Sequence, residues 1–253
     1  MFLALEFVDL LQGSFSLIFV LISLYLGFSI LLKYFKYKSR LYILVGLSWI
    51  GVANPWFPDS ISFLMNLIFQ ESLAIKWYFI IGNAFIPLAL LTWLIAYTDM
   101  NNKSKQKLTV ILTVVFGIIF EAVFFILLFT DINQIGIINP LRPFTVEFGL
   151  FITIFLLLVI LIMAGTGLKF AQKSLKSEDR DVKLKGKLLR AAFITFTIAA
   201  LLDALLGMIF ADPADPLLAL MVVITRVLLI LSAIEFYGGF ILPKWMRAIF
   251  SRN

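Results

Sequence analysis

The sequence predicts an all-α fold: a polytopic membrane helix bundle of about seven transmembrane helices, with the N-terminus outside and the C-terminus cytoplasmic. Three observations lead to this prediction. The first is composition, because 62% of the 253 residues are hydrophobic and only 14% are charged, whereas soluble domains carry about a quarter charged residues. The second is a series of seven long apolar runs. The third is the confinement of nearly all Lys and Arg residues to alternate loops.

Apolar stretches of about 20 residues are long enough to cross a bilayer as an α-helix. We predict a single transmembrane domain over residues 1–253. Its predicted helices are 11–32, 41–57, 76–98, 108–129, 147–168, 188–210 and 217–242. The first helix is not expected to be a cleavable signal peptide, because it is too long and follows Glu6 and Asp9 rather than basic residues.

The second span is the least regular of the seven. Asn54, Pro55 and Pro58 interrupt it, and another apolar run at 61–69 follows directly. One unbroken helix over both runs would be longer than a membrane of about 30 Å requires. We therefore expect a short second helix, a proline break and a helix at 60–70 lying on the outer surface. The alternative is one long kinked helix.

Orientation is predicted from the loops, because cytoplasmic loops retain Lys and Arg. The basic clusters occupy the first, third and fifth loops and the C-terminal tail, and they comprise Lys33, Lys36, Lys38, Arg40, Lys103, Lys105, Lys107, Lys169, Lys173, Lys176, Arg180, Lys183, Lys185, Lys187, Arg190, Lys244, Arg247 and Arg252. The other loops hold only Lys76 and Arg142. This bias accounts for the net charge of +6, so we expect no nucleic-acid partner. The fifth loop is suited to anionic lipid headgroups.

Four polar residues lie inside predicted spans at a similar depth: Asn83, Glu121, Asp203 and Arg226. A charged group at mid-bilayer costs about 2.5–3.5 kcal/mol on insertion scales, so such groups usually have a function or a partner. At about 1.5 Å per residue, all four fall in a layer roughly 10–14 Å below the outer surface. We interpret them as ligand-binding candidates in an outer-facing pocket for a small polar or anionic ligand.

The alternative interpretation is structural. Asp203 and Arg226 would lock two helices together, while Glu121 and Asn83 would bond to backbone groups. The acid that pairs with Arg226 is left open, because helix rotation decides it. Near the cytoplasmic end of the last span, Glu235 is positioned to pair with Arg190, Lys187 or Lys244. Alternatively, it extends its carboxylate to the interface.

The residues that are absent exclude several kinds of chemistry. The chain has no His and no Cys, so a zinc or haem site of the usual kind is not expected, and a Ser–His dyad is impossible. Phosphate-binding glycine loops are also missing. The last span lacks the Lys of a retinal pigment, and the Arg226 guanidinium stays protonated and cannot replace it. We expect no enzymatic activity, no metal and no cofactor.

Three segments carry a resemblance to a known group of proteins. They are the run from Trp77 through Pro87 to Trp93, the Gly165–Thr166–Gly167 end of span five, and Arg226 followed by Glu235–Phe236–Tyr237–Gly238–Gly239–Phe240 and Pro243. These segments resemble uncharacterised archaeal seven-transmembrane-helix proteins, which are similar to the seven-helix sensor region of some histidine kinases. The resemblance implies a sensor. The kinase part is lacking in this sequence, so we expect the signal to pass to a separate protein.

The sequence therefore leads to one expected function and two alternatives. The first is a receptor-like sensor module in the cell membrane, with the lipid bilayer and a separate cytoplasmic effector as partners. The second is a small-solute or proton-coupled transporter in which Glu121 and Asp203 bind a proton or cation. The third is a structural membrane subunit with no ligand.

Overall fold

The computed structural model describes residues 5–139, 142, 146–210 and 215–250. This part of the chain forms ten helices and a two-stranded β-hairpin. The helices are α1 (Phe7–Tyr37), α2 (Arg40–Val52), α3 (Phe57–Phe69), α4 (Ile75–Asn83), α5 (Ile86–Asn101), α6 (Gln106–Thr130), α7 (Leu150–Leu175), α8 (Arg180–Ile209), α9 (Pro216–Ile241) and α10 (Lys244–Phe250). The strands are β1 (Gly136–Ile138) and β2 (Val146–Phe148).

Seven segments of the described chain are long and apolar enough to cross a membrane. They are Phe7–Tyr37, Arg40–Phe69, Ile75–Asn101, Lys103–Thr130, Leu150–Leu175, Arg180–Leu206 and Pro216–Ile241. The prediction of an all-α bundle with seven spans is thus confirmed, and each predicted span overlaps one segment. The start of the fifth span was wrong, because the residues from Val146 to Phe148 pair as β2 and the helix begins only at Leu150.

The bundle has two chemically different ends. The hairpin end holds the N-terminus of α1 and the β1–β2 hairpin, which are brought together by an Arg142–Asp9 ion pair. The basic end is the opposite one, where the loops between α1 and α2, between α5 and α6, and between α7 and α8 carry most of the Lys and Arg residues.

The second span is a single kinked segment that packs lengthwise against α1. Opposing residues keep one antiparallel register along both α2 and α3, through the pairs Gly27 with Gly46, Phe19 with Trp56, Ser16 with Asp59, and Gly13 with Phe63. Residues 60–70 therefore do not form the separate surface helix that we expected. The alternative, one long kinked helix, describes the structure.

Proline chemistry explains why this segment kinks without leaving the bundle. A short 3-10 turn at Asn54–Trp56 joins α2 to α3, and the two prolines fall at or beside helix starts, where a missing N–H costs little. Small residues on α1 then allow a close approach. A Cβ added to Gly13 would lie 2.3 Å from the Phe63 ring, so α3 stays in contact with α1.

The interior is rich in aromatic rings. Trp49 stacks on Phe236 with 4.2 Å between ring centroids, and Phe193 and Phe196 pack edge-on around them. These rings join α2, α8 and α9. Aromatic rings also join the peripheral helix α6 to α7, because Phe120 stacks on Phe155. Aromatic packing thus fills the bundle where no polar group is available.

The β-hairpin forms the connection between α6 and α7. Gly136 pairs with Phe148 and Ile138 with Val146 in antiparallel register. Gly149 follows directly and donates its N–H to the Ile135 carbonyl at 2.8 Å. A Cβ at Gly149 would lie 2.0 Å from the Gln134 carbonyl oxygen, so only glycine fits this turn.

Candidate functional site

Arg226 is the centre of the buried polar chemistry. It lies in the first half of α9 and is only 2% exposed. Its Nη1 atom lies 2.8 Å from Asp203 Oδ1 on α8, and its Nη2 atom donates a hydrogen bond to Asp59 Oδ2 on α3 at 3.5 Å. One guanidinium thus bridges two carboxylates from two other helices. We call Asp59, Asp203, Arg226 and the hydrogen-bond donors Trp56 and Tyr78 the Arg226 cluster.

Asp59 is the most heavily hydrogen-bonded member of the Arg226 cluster. The Tyr78 hydroxyl of α4 donates to Oδ1, and the Ser16 hydroxyl of α1 donates to Oδ2 at 3.4 Å. The Gln12 side chain of α1 adds a further hydrogen bond. Asp59 also lies in the first turn of α3, where the helix dipole favours a negative charge. These contacts together offset the cost of burying the carboxylate.

Asp203 is the most solvent-exposed of the three charged members of the cluster. Its Oδ2 atom accepts a hydrogen bond from the Trp56 indole N–H at 2.9 Å. Its side chain is 22% exposed, whereas the side chains of Arg226 and Asp59 are 3% and 7% exposed. A small molecule or ion would therefore reach the Arg226 cluster at Asp203 first.

A second buried cluster adjoins the first at the hairpin end. Arg142, between β1 and β2, donates from Nε to Asp9 Oδ1 at 3.2 Å and from Nη2 to Gln12 Oε1 at 2.9 Å. All three side chains are buried. Since Gln12 also bonds to Asp59, the described residues form one continuous polar chain that starts at Asp203 and ends at Asp9.

The charges of this chain do not balance. Asp9, Asp59 and Asp203 contribute three carboxylates, while Arg142 and Arg226 contribute two guanidiniums. Neutral donors on Tyr78, Trp56, Ser16 and Gln12 supply the remaining hydrogen bonds. With every group ionised, the chain would hold one negative charge in a low-dielectric interior, where a further positive charge or a proton would be favourable.

Beside this polar chain, an apolar group of side chains covers the α8–α9 side of the Arg226 cluster toward the hairpin end. Val8 of α1, Leu206 of α8, and Leu218 and Val222 of α9 pack together as a small buried group. On α9, Val222 and Leu218 lie one and two turns before Arg226, on the same helix face. The guanidinium is therefore shielded on that side of the bundle, and its ion pairs are formed in an environment with little water.

Two of the four predicted ligand-binding candidates meet, and two do not. Asp203 and Arg226 form the ion pair described above. Asn83 instead donates from Nδ2 to the Phe79 carbonyl of its own helix at 3.0 Å, and Glu121 lines a cleft between α5 and α6. The four side chains do not line a common pocket, because the rotation of each helix directs them to different faces.

The predicted pair at the basic end is also separated. The Oε2 atom of Glu235 is buried and has no hydrogen-bond partner among the described residues, and Arg190 lies on the exposed side of α8. Among the described residues, no ion pair joins the two. Glu235 thus faces the interior of the bundle rather than the basic surface.

Sequence reasoning did not single out Asp9, Asp59 or Arg142. Each one lies near a predicted span end, where charged residues are ordinary, so none signalled burial. One signal was available for Asp59. It falls inside the long kinked version of the second span, which would have placed a carboxylate within the membrane beside Arg226.

Comparison with known proteins gives no family assignment: no protein-family model, curated protein or solved structure matches the chain. The length and hydropathy of its helices make it a seven-helix, multi-pass membrane protein.

Proposed function

We propose that the chain is a receptor-like sensor module of the cell membrane, with the hairpin end outside and the basic end in the cytoplasm. The observation that carries the proposal is the Arg226 cluster, in which one buried guanidinium holds carboxylates of α3 and α8 while Asp203 stays partly open. A ligand that competes for Asp203 changes the bonding of Arg226 and, through it, of Asp59. Three helices then respond to one binding event.

The charge of the polar chain favours a positively charged ligand or a proton. Three carboxylates face two guanidiniums, so a cation at Asp203 reduces the charge imbalance and an anion increases it. This charge imbalance argues against the anionic ligand that was considered from the sequence, whereas a small polar ligand remains compatible with it. The proposed ligand class is a small organic or inorganic cation.

The proposed route of the signal is α8 and α9. Both helices carry a member of the Arg226 cluster and run on to the basic end, where Arg247 of α10 pairs with Asp181 at the start of α8 at 2.6 Å. A shift of one helix against the other would alter this basic surface. A separate cytoplasmic effector with an acidic surface is the partner that the surface would suit.

Proton-coupled transport of a small solute is the second candidate. The same surplus carboxylate favours it, because a carboxylate that gains and loses a proton in a buried site is what proton coupling requires. The third possibility, a structural subunit, is favoured by the apolar group over the cluster. Binding without flux supports the sensor, and binding with flux supports the transporter. The absence of both binding and flux supports the structural role.

The test is a thermal-stability screen of the purified protein in nanodiscs. The probes are sodium, ammonium, choline and, as the anionic comparison, formate, all at constant ionic strength. The matched variants are D203N and D99N, since Asp99 also pairs with an arginine but lies at the basic end. We expect a cationic probe to raise the unfolding temperature of the wild type and of D99N, but not that of D203N.

Equal responses of the wild type and D203N to every probe would contradict a ligand site at Asp203. Protein reconstituted in liposomes with a trapped pH-sensitive dye then separates the first two functions. Flux of the stabilising probe or of protons, abolished by D203N, would replace the sensor with the transporter.

A further inference from the structure

A second site candidate lies on the outside of the bundle, away from the Arg226 cluster. A cleft of about 480 Å³ runs between α5 and α6, within the range typical of small-molecule sites. It is open along one side, and its rim residues Leu88 and Ile118 are 54% and 63% exposed. Because both helices belong to membrane-spanning segments, this open side faces the acyl chains of the lipids.

The cleft follows from small residues placed opposite one another. Ala84, Pro87, Gly117 and Ala122 line it with little side-chain volume, and Leu88, Leu91, Ile118 and Phe125 stand around them. Pro87 also separates α4 from α5, since it cannot donate a backbone hydrogen bond. At the point of closest approach, a Cβ on Gly117 would lie 3.1 Å from Pro87 Cβ.

Glu121 gives this apolar cleft a single charged group. Its Oε2 atom is inaccessible to solvent and has no hydrogen-bond partner among the described residues. The other polar lining residue, Thr113, donates its hydroxyl to the Thr109 carbonyl of its own helix at 2.8 Å. Glu121 lies nine residues before the end of α6, about 14 Å along the helix axis. Lipid headgroups at the interface are too far away to satisfy it.

We infer that the α5–α6 cleft is a binding site for a lipophilic amine, a molecule with an alkyl chain and one basic nitrogen, that enters from the bilayer. The alkyl chain occupies the apolar lining, and the nitrogen pairs with the Glu121 carboxyl. Charge complementarity selects this class, because the Oε2 atom of the half-buried Glu121 is without a hydrogen-bond partner among the described residues, which is costly, and a membrane-soluble base removes that cost. The carboxyl and the amine share one proton, and the pair forms whichever of them brings it.

The test is photolabelling in nanodiscs with N,N-dimethyldodecylamine that carries a diazirine in its alkyl chain. A dodecanol with the same diazirine is the neutral comparison probe. We expect the amine to label peptides covering 84–91 and 113–125, and we expect excess unlabelled amine to prevent this labelling. The alcohol should label them more weakly and without saturation.

Two variants test the role of the carboxyl, and a third keeps the test decisive if removal of the carboxyl disturbs folding. E121Q should lower the apparent amine affinity about tenfold or more, because an amide of the same shape replaces the charge. E235Q, which alters an intramembrane carboxyl that does not line the cleft, should label like the wild type. A122F keeps Glu121 but fills the cleft, and it should abolish labelling by the amine.

Several results would overturn the inference. Equal labelling by amine and alcohol would mean that ordinary acyl chains fill the cleft. Unchanged amine affinity in E121Q and A122F would place the label elsewhere. Loss of self-association in E121Q, measured by energy transfer between labelled copies, with no saturable amine labelling of the wild type, would identify a second copy of the chain as the occupant.

Discussion

The two ends of this bundle use the same residue types in different surroundings. In the half of the bundle nearer the hairpin, the pairs are buried: the side chains of Arg226 and Asp59 are only 3% and 7% exposed, and those of Arg142 and Asp9 are 5% and 1% exposed. At the basic end, Arg40 pairs with Asp99 although its side chain is 59% exposed. The chemistry of the pairs is alike, so the difference in solvent access decides what each pair does.

Solvent changes the balance between attraction and desolvation. A buried charge that loses its partner stays in a low dielectric and costs several kcal/mol, whereas an exposed charge returns to water at little cost. The buried pairs in the half of the bundle nearer the hairpin therefore couple their elements strongly, while the exposed pairs at the basic end are weak and adjustable. Four substitutions test this difference, and their predicted losses of stability decrease in the order given below.

Replacement of Arg226 by Gln should have the largest effect. Asp59 and Asp203 would lose their shared counter-ion inside the bundle, and we expect the free energy of unfolding to fall by about 3–5 kcal/mol. Chemical denaturation in mixed micelles, followed by tryptophan fluorescence, measures this loss. The double variant R226Q/D203N should recover part of it, because one unpaired carboxylate is removed. A loss below about 1 kcal/mol in R226Q would contradict the buried-pair account.

Replacement of Arg142 by Gln should cost somewhat less, about 2–3 kcal/mol of unfolding free energy. Asp9 would lose its ion pair but would keep the backbone N–H of Glu6, which donates to its Oδ2 at 3.3 Å. The same denaturation measurement applies. R180Q, which alters an exposed arginine at the start of α8, is the control. If R142Q and R180Q behave alike, Arg142 does not anchor the hairpin to α1.

Removal of the Tyr78 hydroxyl in Y78F should cost about 1.5–2 kcal/mol, since a hydrogen bond to a buried carboxylate is lost while the ring is kept. Y97F, at a half-buried tyrosine of α5, is the matched control. A double-mutant cycle with D59N isolates the pairwise interaction. Additive effects of Y78F and D59N would show that the two groups are not coupled.

Replacement of Arg40 by Gln should have the smallest effect, below about 1 kcal/mol, because this pair is exposed. The effect should shrink further when the salt concentration is raised, since ions screen exposed charges. The unfolding free energies of R40Q and R226Q, each measured at low and high salt, then distinguish the exposed pair from the buried one. A large, salt-independent loss in R40Q would remove the distinction between the two ends.

Hydropathy was a good guide to the fold, because the bilayer imposes a length and an apolar composition on every span. All seven spans were recognised, with errors mainly at their ends. The second span was the exception. Its prolines suggested that residues 60–70 turn onto the surface, and nothing local indicates that Gly13 and Ser16 on another helix leave room for α3 to continue beside α1.

Depth was also a partial guide to the site. It placed Asp203 and Arg226 in one layer, and they do pair, but it placed Asn83 and Glu121 there as well. Depth depends only on position along a helix, whereas contact depends on rotation about the helix axis. Glu121 faces α5 and the lipid side of the bundle for that reason, although it lies at a depth similar to that of Arg226.

The sequence alone determined that this chain crosses a membrane seven times, carries its basic residues on one side, and buries charges that need partners. Apolar length and one-sided charge are properties of each segment by itself, so no tertiary information is needed to recognise them. Only the tertiary structure decided that Arg226 lies between Asp203 and Asp59, that Arg142 extends this chain to Asp9, and that Glu121 faces a separate cleft. Those outcomes depend on how helices rotate and pack, which is settled by side chains from distant parts of the chain.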